Sequence, residues 1–363
     1  MFLYLLPIGL SCFPRFACPL RGDELVLRNY SKIENVTVSR IDEDGVALGD
    51  GRSFGLGDIH SASLEGQTQF DELHQKWGLD LFRLRLRIQR QDYENLQPHL
   101  GRVYEVYRGR SSRSATLVLL AKYHECICQG DWANAIGVHF RLVTLSGQAE
   151  GNRDLLRATG YPWDPVSGMS GWICPFGFEE KKLAEDWPQI RAAYLGLPDG
   201  HPGGLDLYFF LLANAVGADL NPEIANRRVK LSRLEQMLLQ TLEDRAAEDS
   251  DSANRELLKR QLSDYKFVAG DTNMHRALYR FALGQLELKS NGGDRNKGLL
   301  NLLRIHAEFR DDFPILAAAA LTEVHSRLKS TDPKKNAKSV AGELLSRFPS
   351  SIFAKQLRMR STK

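Results

Sequence analysis

QGDWANAI, residues 129–136, decides how most of this chain is read. From Trp132 the residues Trp132, Ala135, Ile136, His139, Phe140 and Val143, apolar except for His139, recur at the spacing of one helix face, three and four residues apart. Before them Leu117, Leu120, Ala121, His124 and Cys128 recur in the same way. Gly130 supplies the left-handed turn that ends one helix, and Asp131 a capping side chain that starts the next. The stretch therefore predicts two antiparallel helices joined by a short turn.

Working outward, the pattern recurs. RQDYENLQ, residues 90–97, places Asp92 and Tyr93 where the later copy has Asp131 and Trp132, an offset of 39 residues. Leu81, Leu84 and Ile88 precede it, and Leu96, Leu100 and Tyr104 follow. Near the C-terminus Phe309 and Phe348 are again 39 residues apart, and Gly298 and Ala337 take the same small-residue position. The GDWANAI stretch resembles the Gly-Asp-aromatic turn of tetratricopeptide repeats. There the aromatic packs between helices, and a small residue, here Ala135, lets the helices approach. SRFPSSIFAKQ, residues 346–356, is similar to repeat ends of bacterial envelope assembly and adaptor proteins. The resemblance covers residues 66–147 and 272–357 and implies a mainly α fold, an α-solenoid of helix pairs that offers a groove to a protein or peptide partner. It departs from the family in its period, in Leu96 replacing the small residue, and in Pro98 and Gly137 falling in the second helix. It transfers no ligand residues.

The flanking regions read differently. Residues 1–22 begin MFLYLLPIGLSC, apolar from Phe2 to Leu10, which suggests a secretory signal and an exported, periplasmic or cell-envelope protein; otherwise the chain is cytoplasmic. Residues 23–65 alternate apolar and polar residues between Asp-Gly turns, predicting four or five short strands in a small SH3-like or barrel-like sheet. Its only candidate stacking aromatics are Tyr30 and Phe54, so it reads as a structural cap rather than an RNA-binding barrel. Residues 66–148 form the first helical repeats, 149–204 an irregular aromatic and proline-rich insert, and 205–363 a second helical domain. In the last, helices are expected over residues 229–245 and 254–267, separated by the acidic, solvated AAEDSDS. GLPDGHPGG, residues 196–204, reads as a hinge, and LDLYFFLLANAV after it as a buried helix.

The 363 residues carry a net charge of +3, with 43% hydrophobic and 26% charged residues. That balance gives no reason to expect nucleic acid, and no run is long and apolar enough to cross a membrane. Cys126 and Cys128, two apart on a helix, cannot converge on one ion. No phosphate loop, nucleophile elbow or other catalytic or cofactor motif is present. His124, His139 and His306 fall on apolar helix faces, as satisfied core histidines do.

Two stretches are candidate partner-binding surfaces. Arg83, Arg87 and Arg90 share one stripe of a helix, which is either a solvated face or a contact for an acidic segment. GYPWDPVSGMSGWICPFGF, residues 160–178, cannot be a continuous helix. Its Trp163 and Trp172, with Phe176, either plug a gap between the helical halves or line a binding ledge. An exported, non-enzymatic interaction scaffold is the leading expectation. The alternative is an enzyme with Asp164, Cys174 and His201 in the insert.

Overall fold

The computed structural model describes residues 23–361, except 162, 177, 221, 228–230, 247–251, 290–293 and 332–335. The apolar start and the acidic AAEDSDS connection, apart from its end residues, lie outside the described residues. The chain is mainly helical, with a small β region near the N-terminus, and divides into two compact units, residues 1–79 and 80–363.

The first unit holds strands β1 (Asp23–Leu27), β2 (Lys32–Val36), β3 (Val38–Asp42), β4 (Gly45–Leu48), β5 (Ser53–Phe54) and β6 (Ile59–Ser63), followed by helix α1 (Gln67–Leu73). They form two antiparallel three-stranded sheets, ordered β2-β1-β6 and β3-β4-β5. The sequence suggested four or five strands because KIENVTVSRI alternates without a break. The structure divides that run at Thr37, so the chain leaves one sheet and enters the other. The Asp23 carboxylate fastens the change of sheet, accepting hydrogen bonds from the Val38 amide (3.2 Å) and the Glu65 amide (2.7 Å). Leu25, Val46, Leu48, Leu56, Ile59 and Phe70 make the core, Phe70 being contributed by α1.

In the second unit, helix α2 (Leu79–Gln89) precedes α3 (Gln97–Tyr107), α4 (Arg113–Gln129), α5 (Trp132–Gln148), α6 (Glu150–Ala158), α7 (Glu180–Leu195) and α8 (Gly203–Ala215). Then come α9 (Pro222–Arg227), α10 (Arg233–Ala246), α11 (Ser252–Ser263), α12 (Asn273–Lys289), α13 (Asp294–Phe309), α14 (Pro314–Thr331), α15 (Asn336–Arg347) and α16 (Ile352–Ser361). The opening stretch folds as its residues dictate. Gly130 takes φ +72° at the end of α4, and the Asp131 side chain accepts from the Asn134 amide to cap α5. Pro98 sits in the first turn of α3, where its missing N–H costs nothing. Gly137 faces Ile190 of α7, whose Cγ1 would lie 3.0 Å from an added Cβ. Close approach recurs between α12 and α13, since a Cβ on Gly298 would sit 2.8 Å from the Gly284 carbonyl oxygen.

Several boundaries differ from the expectation. The 149–204 segment is not irregular throughout, because α6 and α7 occupy much of it. In α6, Asn152, Leu155 and Leu156 form one buried face within an otherwise polar stretch, too short a pattern to read alone. α10 and α11 start at Arg233 and Ser252, and α11 stops at Ser263, short of Phe267.

One position in the first unit depends on a missing side chain. Gly45, the first residue of β4, has φ +132°, and a Cβ there would lie 1.9 Å from the Phe54 carbonyl oxygen. Gly45→Ala is expected to cost about 1–3 kcal/mol from backbone strain, with the clash added. Amide exchange in β3, β4 and β5 should accelerate, while exchange in α12 and α13 stays unchanged.

Candidate aromatic clefts

The non-helical segment between α6 and α7 is held from within by hydrogen bonds. His139, fully buried on α5, contacts the Tyr161 hydroxyl through Nδ1 (2.5 Å) and the Gly168 carbonyl through Nε2 (2.7 Å). A carbonyl only accepts, so Nε2 carries the proton and Tyr161 donates to Nδ1. Burial holds His139 down to about 4, the Gly168 bond opposing it, so the ring is neutral at pH 7. Ser170, also buried, donates its amide to the Tyr208 hydroxyl (3.1 Å), and that hydroxyl donates back to the Ser170 carbonyl (3.1 Å). The Ser170 and Tyr123 hydroxyls share a further bond of 2.5 Å.

Between these anchors the loop closes on itself. Asp164 accepts from the Val166 amide (3.0 Å) and the Ser167 hydroxyl (2.8 Å), and Trp163 bridges to Ser170. Gly168 takes φ +74° where a side chain would collide with Leu205 and Pro202. Gly171 passes so close to the turn between α13 and α14 that an added Cβ would lie 2.4 Å from the Asp312 carbonyl oxygen.

The three aromatics read as either a plug between the helical halves or a binding ledge divide by role. Phe176 is buried and stacks on Phe281 of α12, with ring centroids 4.4 Å apart. Trp163 and Trp172 are half-buried. Trp172 meets Tyr93 (6.0 Å) and His124 (5.7 Å) edge-on, while Tyr93 and His124 stack at 4.1 Å. The remaining surface of the two indoles faces open clefts. A cleft of about 540 Å³ adjoins Trp172, Tyr93, Cys128, Ile315 and Phe348. A second of about 600 Å³ lies against both Trp172 and Trp163, with Asp164, Thr272, Asp311 and Asp312. A third of about 480 Å³ has Trp163, Tyr161, Arg153, Arg157 and His201 on its wall. Each tryptophan is thus a wall shared by two neighbouring clefts.

Burial pushes the Asp164 carboxyl up, but hydrogen bonds from Thr272, Val166 and Ser167 outweigh that and hold it below the usual range, so it is ionised. His124 corrects the expectation of a satisfied core histidine. Neither of its ring nitrogens has a hydrogen-bond partner among the described residues, and burial holds it down to about 3.

Asp164 and His201 border different clefts. His201 spends both nitrogens, on the Asp206 carboxylate (2.9 Å) and the Pro198 carbonyl (3.1 Å), while Cys174 is buried and borders none of these three clefts. The Asp206 carboxylate also accepts from Tyr194 (2.5 Å). Arg83 and Arg90 are exposed, and half-buried Arg87 pairs with Asp92; none of the three borders these clefts. The stripe therefore stands apart from the aromatic surface. Asp311, Asp312 and Thr272 escaped sequence reasoning, since only tertiary packing brings the α13–α14 turn and the start of α12 to the insert.

Comparison of the chain with family models, with curated proteins and with solved structures gives no match.

The division of roles predicts unequal truncation costs. Phe176→Ala should destabilise by about 3–5 kcal/mol, as loss of a buried aromatic does. Trp172→Ala should cost clearly less, about 1–2 kcal/mol, because part of the indole is already in solvent. Equal costs in urea unfolding would place Trp172 in the core.

His124 and His139 also set an acid limb of stability. Their folded values lie below the ordinary 6.5, so the unfolded chain binds protons first as pH falls. Their contribution is full above pH 6.5 and is lost as pH falls toward about 4 for His139 and about 3 for His124. His124→Phe removes one titrating ring and two unpartnered nitrogens. It is expected to melt no lower than the parent near neutral pH, and to lose less Tm between about pH 6.5 and about pH 4.5. Calorimetry at both pH values reads this out, and an unchanged slope would show that His124 is not held neutral.

Proposed function

We propose that this chain is a non-enzymatic interaction scaffold that binds a partner protein or peptide along the clefts walled by Trp163 and Trp172. The carrying observation is that these two tryptophans, held on a loop anchored by His139 and Tyr208, are half-buried and each borders two clefts. Large aromatics fixed in place but left uncovered contribute contact area at little entropic cost, which is the property of interface anchors. The separation of Asp164, His201 and Cys174 weighs against a catalytic constellation in the insert.

The scaffold reading extends to the fold. The helix pairs α4–α5, α12–α13 and α14–α15 fit a degenerate tetratricopeptide-like stack in which small residues such as Ala135, Gly298 and Ala337 admit the neighbouring helix. The β unit fits a small SH3-like barrel, since β1 pairs with both β2 and β6 and the chain crosses sheets at Thr37. Export is part of the same proposal and rests on the apolar Phe2–Leu10 run.

The test places a photo-crosslinking amino acid at Val166, which is exposed on the insert, in the full chain expressed in its native cells. Discrete protein adducts are expected, and Trp163→Ala combined with Trp172→Ala should reduce their yield about tenfold or more. Adducts indifferent to both tryptophans, or none at all, would remove the aromatic clefts as the binding surface.

A further inference from the structure

The geometry points to a cationic side chain, lysine or arginine, carried by an extended partner peptide, as the occupant of the central cleft between Trp163 and Trp172. This rests on the scaffold reading and adds the chemistry of the partner.

Charge distinguishes the three clefts. Asp164, Asp311 and Asp312 border the central one, and none of its bordering residues is a lysine or arginine. Beyond Trp163 the wall carries two cations, Arg153 and Arg157, against one carboxylate, Asp199. Beyond Trp172 the carboxylates are already engaged, Asp92 with Arg87 and Glu94 with Lys355 at 2.7 Å. An ionised Asp164 and an exposed Asp312 therefore leave the central cleft with surplus negative charge beside two indoles.

Two opposing charges have to be weighed. Arg310 lies 3.7 Å from Asp311 and offsets part of that carboxylate, but it is not on the cleft wall. The N-terminus of α12 also opens here through Thr272 and Asn273, and a helix N-terminus repels cations with roughly half an elementary charge. The N-cap amide is already engaged, since Thr272 N–H donates to His275 Nδ1 (3.2 Å), and the Thr272 hydroxyl donates to Asp164. Three carboxylates outweigh what remains.

An organic cation fits better than a metal ion. Among the described residues no three His, Cys, Asp or Glu side chains converge closely enough to hold a metal. Carboxylates spread around about 600 Å³ with indole walls instead suit a delocalised guanidinium or an alkylammonium, which an indole face attracts through its quadrupole. The clefts on either side leave room for the peptide to continue past both tryptophans.

The full chain is titrated with fluorescein-labelled glycine-serine peptides that differ only in a central Arg, Lys, Gln or Glu, read by anisotropy. The Arg and Lys peptides should bind about tenfold or more tighter than the Gln peptide, the Glu peptide more weakly still, and the preference should shrink as salt rises. Asp312→Asn should weaken the Arg peptide about fivefold without lowering Tm, Trp163→Leu should weaken it about fivefold with at most a small loss of Tm, and Arg90→Ala changes nothing. Free arginine as competitor separates an isolated cation, which displaces the peptide, from a peptide-borne one, which resists displacement. Equal affinity for Arg and Gln peptides, absence of binding, or indifference to both cleft variants overturns the assignment. If that happens while tryptophan-dependent crosslinks at Val166 persist, the scaffold reading survives with a different partner chemistry; loss of both removes it.

Discussion

His139 is the group on which the aromatic surface depends. It lies on the buried face of α5 and joins two points of the insert, the Tyr161 hydroxyl and the Gly168 carbonyl, through its two nitrogens. A non-helical segment carries backbone groups that helices would otherwise satisfy, and burying them unpaired costs more than packing returns. His139, Tyr208 and Tyr123 supply several of those partners from the helices beneath. The loop can therefore sit in the interior without becoming helical.

Rigidity at its base determines what the insert presents at its surface. Phe176 is driven into the α12 core, whereas Trp163 and Trp172 stop halfway, each dividing two clefts. Behind Trp172 the ring of His124, whose nitrogens have no hydrogen-bond partner among the described residues, stays neutral and is covered by Tyr93 on one face. The same aromatic layer that orders the surface thus carries a polar group that destabilises it in acid.

The helical body is built on a different principle. Each of α12, α13, α14 and α15 packs on its successor, and one close approach, Gly284 against Gly298, exists because neither position has a side chain. Contacts of this kind are local in sequence, so they are written locally, as small residues at helical spacing.

That locality explains what could be read from the sequence. The turn of Gly130 and Asp131, the paired helices on either side of it, the buried α8 and the β character of the first unit follow from periodicity and capping within short windows. The division of KIENVTVSRI between two sheets does not, since alternation continues through Thr37 and only the Asp23 carboxylate, 15 residues away, marks the break. Trp163 and Trp172 were conspicuous by type. The arrival of Asp311 and Asp312 at the cleft these tryptophans border depends on segments more than one hundred residues apart in the chain. Sequence by itself determined the α4–α5 and α12–α13 pairs, because those are set by hydrogen bonds and side chains a few residues apart. Only the tertiary structure decided the clefts, because a cleft is the space left between elements whose separation in the chain carries no pattern.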